Sequence, residues 1–131
     1  MSLDPHKRVV QKLCDTSERL IQGGRPIRGA PCVASVESSS HLRRLLSGAR
    51  VDFAVEVTLQ NSAVVTWSVE VAWEPTWIVE AGISLNRTSY QESIADLGEW
   101  TTSDVAEFEA LLDQAVDPVL ASQGEFDFCR Y

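Results

Sequence analysis

The residues best placed to do chemistry together are four carboxylates, Asp52, Glu56, Glu70 and Glu80, which stand at even-numbered positions of three segments whose odd-numbered positions are apolar. A period of two sends successive side chains to opposite faces of a strand, so the acids share one face and the apolar residues the other. The Glu74-Pro75-Thr76 break pairs Trp73 with Trp77, which sets Glu70 directly opposite Glu80. Pairing Leu59 with Val65 across the preceding break sets Ala54 opposite Glu70 and puts Asp52 and Glu56 on its diagonals. Like charges at that range cost stability unless water, a cation or a basic partner screens them. The four acids therefore read as a partner-binding surface for a basic protein. The competing reading is a solvated polar face with no ligand, because antiparallel sheets commonly leave one face wet. Acid–base catalysis by paired glutamates needs an enclosed pocket to shift a carboxylate pKa, and an open sheet face has none. A divalent cation would need convergent loop carbonyls, which the pattern does not supply.

The thiols and imidazoles carry less. Cys14, Cys32 and Cys129 are an odd and scattered set, so reduced thiols are the expectation, with Cys14 and Cys32 on apolar stretches as buried inert groups and Cys129 the most reactive. His6 and His41 have no neighbouring ligand at zinc spacing. No metal and no cofactor is expected. The chain has no phosphate-binding glycine loop, dinucleotide fingerprint, nucleophile elbow or calcium loop, which weighs against an enzyme.

The elements that must position the acids follow from the same patterning. Asp4-Pro5 opens a helix, and Val9, Val10, Leu13, Cys14, Ser17, Leu20 and Ile21 lay its apolar stripe over about 4–22. Residues 23–31 form a basic loop. A short strand at 32–37 stops at Ser38-Ser39-Ser40, and residues 41–46 suit one or two helical turns. Three strands at 51–59, 65–73 and 77–85 make an antiparallel meander with one continuous apolar face. Residues 86–101 read as a connection with local helix at Tyr90 to Leu97. Val105, Phe108, Leu111, Leu112, Ala115, Val116, Val119 and Leu120 then define a helix over about 102–121, capped by Thr102, Ser103 or Asp104 and kinked or shortened by Pro118. Residues 123–131, with Phe126, Phe128 and Tyr131, are either a flexible tail or an arm packed on this chain or a second copy. The expected fold is α+β: an antiparallel meander of about four strands with the N-terminal and C-terminal helices on one face.

The chain of 131 residues suits a single domain over 1–131. Its charge is divided: residues 1–50 hold nine Lys/Arg against four acids, a net of +5, and residues 51–131 hold only Arg87 and Arg130 against fifteen acids, a net of −13. The two parts either neutralise each other or offer separate charged faces. A total of −8 excludes general affinity for nucleic acid or anionic membrane. Without an apolar leader or spanning segment, the expected compartment is the cytoplasm. In size and charge the chain is similar to bacterial immunity proteins and secretion chaperones, although no residue motif carries that likeness and no site transfers from it. These observations together predict a non-enzymatic protein-binding domain with an acidic face. The alternative is a small enzyme or ligand-binding protein with a pocket between sheet and helices. A homodimer through the aromatic tail or a sheet edge is also expected to be open to the chain.

Overall fold

A computed structural model describes residues 5–23, 25–42, 50–73 and 76–131. The chain runs α1 (Pro5–Gly23), a 3-10 turn (Arg25–Gly29), β1 (Val33–Leu42), β2 (Arg50–Leu59), β3 (Val64–Trp73), β4 (Trp77–Arg87), β5 (Tyr90–Thr102), α2 (Val105–Glu125) and a second 3-10 turn (Phe128–Arg130). The five strands form one antiparallel sheet in sequential order, so the meander has one strand more than the sequence reading counted.

The odd-numbered residues of β2 to β4 fill the core as their alternation requires: Val51, Val55, Val57, Val65, Val69 and Val79 are fully buried, with Phe53 and Trp67 almost so. Both helices lie over this face. α1 packs against β1 and β2, α2 against β3, β4 and β5, and the helices pack against each other. On α1 the buried stripe is Val9, Leu13, Thr16 and Leu20, which is narrower than the sequence pattern suggested; Cys14 and Ile21 face solvent. Thr16 is tolerated inside because its hydroxyl donates to the Lys12 carbonyl at 2.8 Å. The expected cap Asp4 lies outside the described residues.

Basic α1 meets acidic α2 in a ladder of ion pairs. Arg8 pairs with Glu109, Lys12 reaches Asp113 at 2.8 Å, and Arg19 reaches Asp113 at 2.9 Å and Asp117 at 3.0 Å. Part of the charge division is thereby neutralised within the molecule.

Four local expectations are corrected. β1 continues through Ser38-Ser39-Ser40 to His41 and Leu42, because cross-strand pairing with β2 holds the serines in the ladder despite their turn preference. The expected helical turns at 41–46 therefore begin inside a strand, and residues 43–46 lie outside the described residues. Tyr90 to Leu97 is part of β5 and not helix or connection; as an edge strand it is mostly exposed and shifts register twice against β4, which erases the alternation that would mark it. Pro118 sits inside α2, which continues two turns beyond it to Glu125, with Asp104 as the N-cap that accepts from the Ala106 amide at 3.1 Å. Lastly, Cys32 and Cys129 are joined in a disulfide across 97 residues, so the expectation of reduced thiols fails for this pair; their Cα atoms lie 5.3 Å apart once the tail folds back, a proximity that no local spacing encodes.

The tail packs on its own chain. Phe128 is buried, and the Trp67 ring meets Phe126 at 5.0 Å and Phe128 at 5.8 Å edge to face. The Trp67 indole donates to the Ser122 hydroxyl at 2.8 Å, which ties the middle of the sheet to the end of α2.

Candidate functional site

The face of the sheet turned away from the helices carries the acids, and the register decides how they meet. The β3–β4 hairpin pairs Trp73 with Trp77 and Glu70 with Glu80, as the sequence arithmetic gave. The β2–β3 hairpin differs by two residues. Leu59 donates to the Ala63 carbonyl at 2.8 Å, leaving a three-residue loop in which Ser62 adopts φ 75°. Asn61 stabilises this tighter turn by accepting from the Ala63 amide at 3.0 Å. Because the shift is an even number, no side chain changes face, but the partner of Glu70 is now Asp52 and not Ala54. Glu56 stands opposite Thr66 on β3 and Glu37 on β1.

β5 adds a member that sequence reasoning missed. Glu80 pairs with Glu99, so Asp52, Glu70, Glu80 and Glu99 form one row of directly opposed carboxylates across β2, β3, β4 and β5. At a strand spacing of about 4.8 Å the row spans about 14 Å. The missing signal was recoverable only by recognising β5 as a strand. Of the four predicted residues, Asp52, Glu70 and Glu80 are brought into line, while Glu56 is four residues along β2 from Asp52, beyond the row of Ala54 and Ser68.

The face is not flat between β3 and β5. The β4–β5 register shifts fall at Ala81/Gly82 and Ile83/Ser84, and around them opens a hollow of about 310 Å³ rimmed by Glu70, Glu80, Asp96 and Glu99 and floored by Gly82. Gly98, also on its lining, has φ 141°, and a Cβ there would come within 2.5 Å of the Trp100 ring, so the bulge depends on glycine. Asp96 accepts from the Gly98 amide at 3.0 Å and so fixes the bulge from the rim.

Where both side chains are described, the ion pairs all join α1 to α2; the register sets His41 of β1 directly opposite Asp52 and Arg50 two residues before it on β2. Asp52 Oδ1 is shielded from solvent and has no hydrogen-bond partner among the described residues. Among the described residues no three His, Cys, Asp or Glu side chains converge as metal ligands would. On the helix side of the sheet, Trp77 stacks on Phe108 at 4.3 Å and the buried valines fill the layer, which is where the alternative reading would have placed a pocket.

No protein-family model, no curated protein and no solved structure matches the chain.

Proposed function

We propose that the chain is a non-enzymatic protein-binding domain whose acidic sheet face engages a basic partner. The observation that carries this reading is the row Asp52, Glu70, Glu80 and Glu99, four directly opposed carboxylates in line across β2 to β5. Glu109, Asp113 and Asp117 on α2 are matched by Arg8, Lys12 and Arg19 of α1, which lie on the helix side of the sheet, away from the row. An open like-charge row lowers stability and raises the attraction of a basic surface.

The spacing favours one geometry of partner. Carboxylates recur about every 4.8 Å across the strands, close to the 5.4 Å pitch of an α-helix. A helix with one Lys or Arg per turn, laid across the strands, would meet successive acids, with one basic side chain entering the hollow beside Gly82. The test is a calorimetric titration with two helical peptides of identical composition, one with arginine once per turn along one face and one with the arginines scattered. The first peptide should bind at least tenfold tighter, and it should lose that advantage in high salt and against the chain carrying Asp52→Asn, Glu70→Gln and Glu80→Gln. Equal binding of the two peptides, or binding unaffected by the three substitutions, overturns the reading.

Among the described residues no helix is long and apolar enough to cross a membrane. A cytoplasmic location is proposed on the exposed free thiol Cys14, which an oxidising compartment would tend to pair; the Cys32–Cys129 disulfide is the observation that weighs against it. With the rings of Phe126 and Phe128 used in this chain's own core, a homodimer would form through the open edge of β5, and light scattering on the full chain checks it.

A further inference from the structure

Another hollow lies beside the disulfide. It measures about 220 Å³ and is lined by Cys32, Cys129, Leu59, Asn61, Phe128 and Tyr131. Cys129 is an exposed residue and Cys32 a half-buried one, so the Cys129 end of the bridge is the more accessible to an incoming thiol. Cys32 holds φ 69°, a left-handed backbone that a residue with a Cβ rarely adopts.

Two basic side chains contact Tyr131 on the wall of this hollow. Arg87 and Arg130, the only two basic residues in the acidic stretch 51–131, both meet Tyr131: Arg87 donates to its main-chain oxygen at 2.6 Å, and the Arg130 guanidinium lies 5.8 Å from its ring centroid. Positive charge beside a disulfide attracts an incoming thiolate and stabilises a departing one. Asp127, which accepts from the Cys129 amide at 3.1 Å, is the acid that opposes them locally.

We propose that Cys32–Cys129 is a thiol-exchange site for an anionic low-molecular-weight thiol, and that exchange there unlatches residues 126–131 from the sheet. A thiolate seated in the hollow attacks Cys129 Sγ; the Cys32–Cys129 bond breaks, a mixed disulfide forms on Cys129, and Cys32 departs as a thiolate that takes up a proton. A second thiolate of the same reductant attacks the reductant's sulfur in the mixed disulfide, freeing Cys129 as a thiol. Two electrons and two protons have passed to the protein, and the two reductant molecules leave joined as a disulfide. Without the covalent tie, the tail is held by Asn61 and Arg87 on the Tyr131 oxygen and by the rings of Phe126 and Phe128 on Trp67. Cys32 is then free to leave its left-handed conformation, which removes one constraint that keeps the bridge closed. In a reducing cytoplasm such a disulfide belongs with those that report redox state.

The experiment uses the full chain, oxidised and reduced, with glutathione as the anionic probe and 2-mercaptoethanol as the neutral one. Glutathione should reduce the bridge faster than 2-mercaptoethanol at equal thiolate concentration, and Arg130→Gln should slow glutathione several-fold while leaving the neutral thiol unchanged. Hydrogen exchange read by mass should rise at least tenfold in residues 124–131 on reduction, with β3 and β4 unchanged, and Cys129→Ser should reproduce the reduced pattern. A rate indifferent to thiol charge and to Arg130→Gln overturns the exchange site. Equal protection of the tail in both states, or loss of protection throughout β3 and β4, overturns the latch, the second because the bridge would then be a staple of the whole fold.

Discussion

Glu70 is the residue on which the site turns: it stands between Asp52 and Glu80, as Glu80 in turn stands between Glu70 and Glu99. Half of that position was legible in the sequence. The Glu70–Glu80 pair followed from a three-residue break between tryptophans, whereas the Asp52 pairing depended on how tightly Gln60-Asn61-Ser62 turns. A serine at φ 75° gives no signal in composition, because glycine or asparagine is the usual occupant of a left-handed turn position. Gly98 shows the same problem from the other side: a lone glycine in an exposed segment reads as loop, yet it sets the bulge beneath the acids. Gly98→Ala forces a Cβ toward the Trp100 ring at a backbone angle of 141° and should cost about 2 kcal/mol in urea denaturation. Because β5 carries Asp96 and Glu99, the same substitution should also reshape the hollow.

At the level of elements, the strands with a buried face were readable and the strand without one was not. β2, β3 and β4 put an apolar residue at nearly every second position, and that periodicity marks them wherever they sit in the fold. Val69 is completely buried, standing between Phe53 on β2 and Ala81 on β4. Val69→Asp puts an unpaired charge there and should leave the chain without a cooperative melting transition or a near-ultraviolet dichroism signal. β5 fails the pattern because an edge strand of a one-sided sheet needs few apolar residues, and its two register shifts move side chains from one face to the other. Serines in β1 are a third case, where pairing with a well-formed neighbour overrides local preference. The α1–α2 ion pairs were foreshadowed by the charge division, although their side chains are too exposed to hold the helices together. Arg19→Ala, which removes two of those contacts, should cost no more than about 1 kcal/mol in the same denaturation assay.

Across the whole molecule, the chain separates its features by face and by end: apolar burial on the helix side of the sheet, the row of acids on the other side, and the disulfide with the tail at the end where β2 turns into β3. The tail was the least legible part of the chain, since its hydrogen bonds reach residues 44 and 70 positions away and its cysteine partner is 97 away. A chain ending at Ser122 loses the disulfide together with the rings that cover Trp67 and should be less stable by more than about 3 kcal/mol. The central claim is that the acidic row is an open surface, at odds with the stability of its own fold and matched to something outside it. The direct measurement is urea denaturation of the native chain and Glu70→Gln at low and at high salt. The account predicts that Glu70→Gln is the more stable by about 0.5 kcal/mol at low salt, with the difference closing as salt screens the row. A loss of stability on Glu70→Gln would contradict it, because Glu70 would then be paired with a cation of its own chain, such as Arg43 or Arg44, and the face would already be satisfied from within.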